Sequence, residues 1–129
     1  MREPRYYLAV FGDPTKPGHV TVEEGHFGVN AGWPKGIVPG DLVLLYCTGG
    51  YARYPKSVPG LGVVEDVDHR QQSFTFEYER LSQPVPLDDL RLVFEAVDAR
   101  KLDNIRFNNH WLFEIGAASF FAAVGGVMD

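Results

Sequence analysis

Residues 42–47 read LVLLYC, an apolar run with no polar interruption. So short a run without alternation is the pattern of a strand covered on both faces. Before it, Pro39-Gly40-Asp41 supplies turn chemistry: proline fixes one dihedral and glycine is free to take a positive φ. Thr48-Gly49-Gly50 ends the run, and Leu61-Gly62-Val63-Val64 begins a second strand that turns charged at Glu65-Asp66. The two strands make a β-hairpin around a long loop holding Tyr51, Arg53, Tyr54 and Lys56. A strand buried on both faces needs a sheet that closes over it, so the hairpin is expected at the core of a small barrel. Its open end is expected to carry function, because loops on a rigid sheet carry binding groups.

The other segments fit around this hairpin. RYYLAVF, residues 5–11, is rich in aromatic and β-branched side chains and reads as a strand that stops at Gly12-Asp13-Pro14. The connection TKPGHVTVEEGH has room for one helical turn, and HFGVN, residues 26–30, reads as a short strand. AGWPKG, residues 31–36, is a loop centred on Trp33. In residues 72–81, Phe74, Phe76 and Tyr78 alternate with Thr75, Glu77 and Glu79, the mark of a half-buried strand, with Pro84 and Pro86 as its stop. Leu87–Leu90 suits a helix start, while LRLVFEAV fits helix or strand equally. Residues 104–109 read as loop, and AASFFAAV before Gly125-Gly126 reads as a final helix.

With 129 residues the chain has the length of one domain and buries roughly two thirds of its unfolded surface on folding. The lone Cys47 excludes an internal disulfide and a thiolate zinc finger, which leaves the cytoplasm as the default compartment. No stretch approaches the roughly 20 apolar residues of a membrane span, and no signal peptide is recognisable. The net charge of −5 speaks against gripping nucleic acid mainly by its phosphates. The charge is uneven, however. Residues 31–64 set Lys35, Arg53 and Lys56 against Asp41 alone, while residues 65–103 hold ten acidic residues against five basic ones.

Candidate chemistry is sparse. His19, His26, His69 and His110 stand apart with no ligand spacing, so neither a metal nor another cofactor is expected. Cys47 ends a buried strand as a small core residue would; as a nucleophile it would need His26 or His110 beside it. Thr48-Gly49-Gly50 lacks the Lys-Ser/Thr and the helix of a phosphate loop. YARYPK interleaves Tyr51 and Tyr54 with Arg53 and Lys56, the mixture that stacks bases and meets phosphates, although tyrosines that cover a barrel end look the same. Trp33 and Trp111 are further candidates for stacking.

Together HFGVN, the VPGD turn followed by LVLLYCTG, PGLGVV, and the tail NNHWLFEIGAASFFAAV resemble the EVE-domain proteins of the PUA-like superfamily, relatives of the YTH readers of N6-methyladenine. The likeness runs from about residue 5 to 124. It implies an α+β fold: a small PUA-like β-barrel with short helices packed outside, in a single domain over residues 1–129. It further implies a non-catalytic pocket at the barrel mouth for a modified base of DNA or RNA. By position that pocket draws on Val29, Asn30, Tyr46, Cys47 and Thr48, with Trp33 and Trp111 as walls and Tyr46 and Trp33 facing one cavity. Lys35, Tyr51, Arg53, Tyr54 and Lys56 would form the rim or meet the backbone. Phe27 stands where a tryptophan is often seen, and Cys47-Thr48 replaces a more polar pair.

Three functions fit. The first is a reader that stacks a base and bonds its edge. The second is an amide hydrolase like the ASCH relatives, for which Lys35, Lys56 and Tyr46 are the available groups. The third is a module for a small metabolite or a protein.

Overall fold

The computed structural model describes residues 3–103 and 111–125. Strands β1 (Tyr6–Phe11), β2 (His26–Gly28), β3 (Leu42–Cys47), β4 (Ser57–Asp68), β5 (Ser73–Pro86) and β6 (Leu112–Ile115) form a six-stranded sheet in the order β2-β5-β4-β3-β1-β6. A 3₁₀ turn (Val22–Glu24) precedes β2, and helices α1 (Leu87–Val93), α2 (Ala96–Asp103) and α3 (Ala117–Gly125) complete the described elements.

The LVLLYC run is a strand buried on both faces, and the alternation of its side chains divides the core in two. Leu44 and Tyr46 point outward, with Leu8 and Val10 of β1, to meet Leu90, Phe94, Leu102, Phe120 and Val124 from the helices. Val43, Leu45 and Cys47 point inward with Tyr7, Ala9 and Phe11 of β1, against Phe27, Phe74 and Phe76. β1 runs parallel to β3, Tyr6 opposite Leu42 and Phe11 opposite Cys47. A parallel pair needs a long crossover; residues 12–41 provide it and carry β2 to the far side of the sheet.

The sheet curls until its two sides meet. β1 and β2 are four strand positions apart, about 19 Å in a flat sheet at ~4.8 Å per strand. The rings of Phe11 and Phe27 nonetheless have centroids 4.9 Å apart. Register shifts in the β4–β5 ladder between Val58 and Gly60 and between Val64 and Val67 supply curvature, as β-bulges bend a strand and raise its twist. Gly60 and Gly62 add to it. A Cβ on Gly62 would sit 2.5 Å from the Phe76 ring, and one on Gly60 would sit 2.6 Å from Tyr78, so both rings lie directly on the β4 backbone.

One sequence expectation needs correction, and one open reading is decided. Strand β5 does not stop before its prolines but continues to Pro86, with Val85 opposite Val58 and Pro86 opposite Ser57. β2 flanks β5 only over Ser73–Thr75. Beyond that, no strand among the described residues lies on this side, and edge positions tolerate proline. The ambiguous LRLVFEAV is two helical pieces joined at Phe94. Asp98, almost fully buried, ties α2 to α3 by accepting from Ser119 Oγ at 2.6 Å and from the Gly116 amide at 2.9 Å. Asp41 has the turn role its sequence position implies: its carboxylate accepts from the amides of Arg5 and Val38. The loop expected at 104–109, and His110, lie outside the described residues.

Candidate functional site

A cleft of about 590 Å³ opens where the two sides of the curled sheet meet. The end of β1 (Val10, Phe11, Gly12) forms one side, and β2 with Val29, Asn30 and Ala31 forms the other. Gly18, His19 and Val20 of the crossover, Gln71 and Ser73 at the β4–β5 turn, and Trp111 before β6 complete the lining. Phe11 and Phe27 meet there by ring contact, and no hydrogen-bonded ladder joins β1 to β2. Their buried rings make an aromatic floor. Trp111, 37% exposed, stands at the wall, held by its carbonyl, which accepts from the Val10 amide at 2.8 Å. Val29 is fixed by its amide, which donates to the Gln72 carbonyl at 3.0 Å. His19 lies against Gly12 so closely that a Cβ there would be 2.9 Å from the imidazole.

The described lining contains no Asp, Glu, Lys or Arg. Its polar groups are the amides of Asn30 and Gln71, the Ser73 hydroxyl and the imidazoles of His19 and His26. Such a surface offers flat apolar area beside neutral donors and acceptors. It suits an uncharged, planar ligand that hydrogen-bonds along its edge. Among the described residues no group of three or more His, Cys, Asp or Glu side chains is placed to hold a metal ion.

Of the residues expected at the pocket, Val29, Asn30 and Trp111 line the cleft. The others lie elsewhere, for reasons of strand alternation and burial. Tyr46 faces the helices and Trp33 packs against the interior cluster, so the two do not share a cavity. Burial raises the Tyr46 hydroxyl above its usual range. Cys47 is fully enclosed, its thiol pushed up to about 12 by burial and, to a lesser degree, by the charge of Glu23, the reverse of nucleophile activation. Thr48 is half-buried, its amide donating to the Phe11 carbonyl. The Trp33 indole donates to His69 Nδ1 at 3.1 Å.

The YARYPK loop takes the structural role its tyrosines allowed. Tyr51 and Tyr54 are buried and stack on each other at 6.1 Å, and the Tyr51 hydroxyl accepts from the Val22 amide. Arg53 lies over the Tyr54 ring and pairs with Glu23 at 3.1 Å. Neither tyrosine is among the residues that line the cleft. Lys35 and Lys56 are exposed and outside the lining. What the sequence did not single out are Phe11, His19, Gln71 and Ser73. The HFGVN motif had pointed at one wall, but the opposite wall is assembled by the curl of the sheet and leaves no local pattern.

No protein-family model and no curated protein matches the sequence. Solved structures match its fold. The NMR structure of Rpa0253 from Rhodopseudomonas palustris superposes with a TM-score of 0.65 at 13% identity, over 97% of this chain and 96% of that one. The crystal structure of ASCH from Zymomonas mobilis gives 0.61 at 12% identity, over 97% of each chain. The fold is PUA-like. Protein Atu2648 from Agrobacterium tumefaciens gives 0.55 at 12% identity, over 95% of this chain and 92% of that one. At such identities the likeness concerns architecture: a PUA-like curled sheet of six strands with, among the described residues, three short helices. It does not select the EVE family within that fold.

Proposed function

We propose that the cleft at the seam of the PUA-like barrel binds a modified nucleobase of DNA or RNA, as in the EVE-type reading, and that the chain acts as a reader module without catalysis. One observation carries this reading: the part-exposed Trp111, above the buried rings of Phe11 and Phe27, shares the cleft lining with neutral edge-reading groups, Asn30, Gln71 and Ser73, and no charged side chain is among the described lining residues. A base supplies the matching chemistry, a π-face for stacking and an edge of donors and acceptors. Phosphate contacts would be few, which suits the net charge of −5.

The test is binding of a single-stranded oligonucleotide carrying one base-modified position, against its unmodified twin, at fixed salt. Trp111→Ala is expected to weaken binding by about 1–3 kcal/mol, the usual loss of one stacking partner. Asn30→Ala is expected to reduce the preference for the modified base. Equal affinity of both variants and the wild-type protein would overturn the assignment.

One observation favours hydrolysis as the second reading: two imidazoles, His19 and His26, line the cleft and are suited in kind to general acid–base work. Lys35, Lys56 and Tyr46 are not placed for that role. Turnover of acylated nucleosides that disappears in His19→Ala or His26→Ala would put the hydrolase first.

A further inference from the structure

One wall of the cleft is made of two segments far apart in sequence. Val29, Asn30 and Ala31 come from the loop after β2, and Gln71 and Ser73 come from the turn between β4 and β5. Just outside the lining, the same loop carries Trp33 and the same turn carries His69. The indole N–H of Trp33 donates to His69 Nδ1 at 3.1 Å, with the rings edge to face at 5.8 Å. The indole also lies against Phe74, 6.4 Å between centroids, and Phe74 in turn contacts Phe27 of the cleft floor at 5.9 Å. The turn itself is held in an unusual backbone shape, with Gln72 at φ 54°.

We infer that Trp33 and His69 form a positioning clamp that, beyond the backbone bonds of Val29 to Gln72 and of β2 to β5, orients the Asn30 side of the loop toward Gln71–Ser73, and that protonation of His69 opens it. The inference rests on the reading of the cleft as the binding site and goes beyond it by naming what controls its shape. The chemistry is specific. Nδ1 accepts only when His69 is neutral with its proton on Nε2; in the imidazolium both ring nitrogens are donors, and a donor then faces the indole N–H. Histidine is the side chain whose charge changes between about pH 5 and 8. By sequence, the charged neighbours are Asp68 and Arg70, which flank His69 in the turn, and Lys35, two residues after Trp33 in the loop. Asp68 Oδ1 accepts from the Gln71 amide at 3.0 Å, so the turn's own fold survives release of the indole.

The first readout needs no ligand. The indole ¹H–¹⁵N resonance of Trp33, assigned with Trp33→Phe, is followed from about pH 8 to 5.5. It is expected to titrate together with the Asn30 side-chain amide. In His69→Asn, whose Oδ1 replaces Nδ1 as acceptor and does not titrate, both shifts are expected to vanish. An indole resonance indifferent to pH in the wild-type protein, or an Asn30 amide that does not follow it, overturns the clamp.

The second readout is affinity for the base-modified oligonucleotide. His19 and His26 also line the cleft, so the comparison is between wild type and His69→Asn. The excess loss of affinity in wild type on acidification is expected to be about fivefold, the order of one net hydrogen bond. His69→Ala and Trp33→Phe are expected to be weakened about fivefold at pH 8 as well, with melting temperatures confirming that they fold. Parallel pH profiles for wild type and His69→Asn overturn the clamp. If the indole and Asn30 titrate as expected but no oligonucleotide binds, the clamp stands and the base-binding reading falls.

Discussion

Phe27→Ala tests whether the barrel is closed by side chains. Phe27 is only 6% exposed, and its ring touches Phe11 at 4.9 Å and Phe74 at 5.9 Å. Removing it deletes the only β2 side chain in the interior cluster and leaves a cavity between the two sides of the sheet. Truncation of a buried phenylalanine costs about 3–5 kcal/mol when its surroundings cannot collapse. β2 is held on one side by its short ladder to β5, so some relaxation toward Phe11 is available, and the lower half of that range is expected. For a chain of this size about 3 kcal/mol lowers the melting temperature by roughly 10–15 °C. The assay is thermal and urea unfolding followed by circular dichroism. Phe121→Ala serves as the control, because this residue of α3 is 54% exposed and its loss is expected to cost at most about 1 kcal/mol. A Phe27→Ala penalty no larger than that control would refute the packed seam, and with it the aromatic floor of the cleft.

Further outcomes are expected. Cys47 should resist thiol reagents at pH 8 in the native protein and react only on unfolding, since burial pushes its thiol up to about 12; fast native modification would contradict its enclosure. Gly62→Ala should destabilise by about 1–3 kcal/mol in urea melts, because its Cβ would fall 2.5 Å from the Phe76 ring. Tyr78 has a hydroxyl that is buried and without a hydrogen-bond partner among the described residues, and burial pushes it up to about 12. With the folded value raised above the unfolded value of about 10, the native state holds the proton longer. Stability should therefore fall as pH rises from 10 toward 12, and Tyr78→Phe should lessen that fall, to which the buried Tyr7, Tyr46 and Tyr51 also contribute, at little cost at neutral pH. Oligonucleotide affinity should depend weakly on salt, with a logarithmic slope no steeper than about −1, because no Lys or Arg lines the described cleft; a steep slope would point to phosphate binding elsewhere.

Much of the fold was legible because it is written in local patterns. LVLLYC announces a strand buried on both faces, and it is one, with Leu44 and Tyr46 outward and Val43 and Leu45 inward. The alternation from Phe74 to Tyr78 fixes β5, although not its end, because the prolines fall where the strand lacks a partner on one side. LRLVFEAV was ambiguous because α1 and α2 are both short and break at Phe94. LFEI of β6 gave too few residues for a pattern.

The lining of the candidate cleft was legible on one wall only. Asn30 and Val29 follow a recognisable motif, whereas Gln71, Ser73, His19 and Phe11 reach the cleft through the curl of the sheet and the path of the crossover. Tyr46 and Cys47 misled because position at a strand end says nothing about which face a side chain takes; alternation in this sheet sends Tyr46 to the helices and Cys47 into the core. Tyr51 and Tyr54 had two equal readings in sequence, and burial decided between them.

The central claim is that a base enters the seam between the end of β1 and β2. Its most direct test is amide and side-chain chemical-shift mapping of the ¹⁵N-labelled protein titrated with the base-modified oligonucleotide. Shifts are predicted at Phe11 and Gly12, at His19, across His26–Ala31, at Gln71 and Ser73, and at the Trp111 indole. Shifts confined to the Tyr51–Lys56 loop or to the outer face of α1–α3, with the seam unmoved, would contradict it.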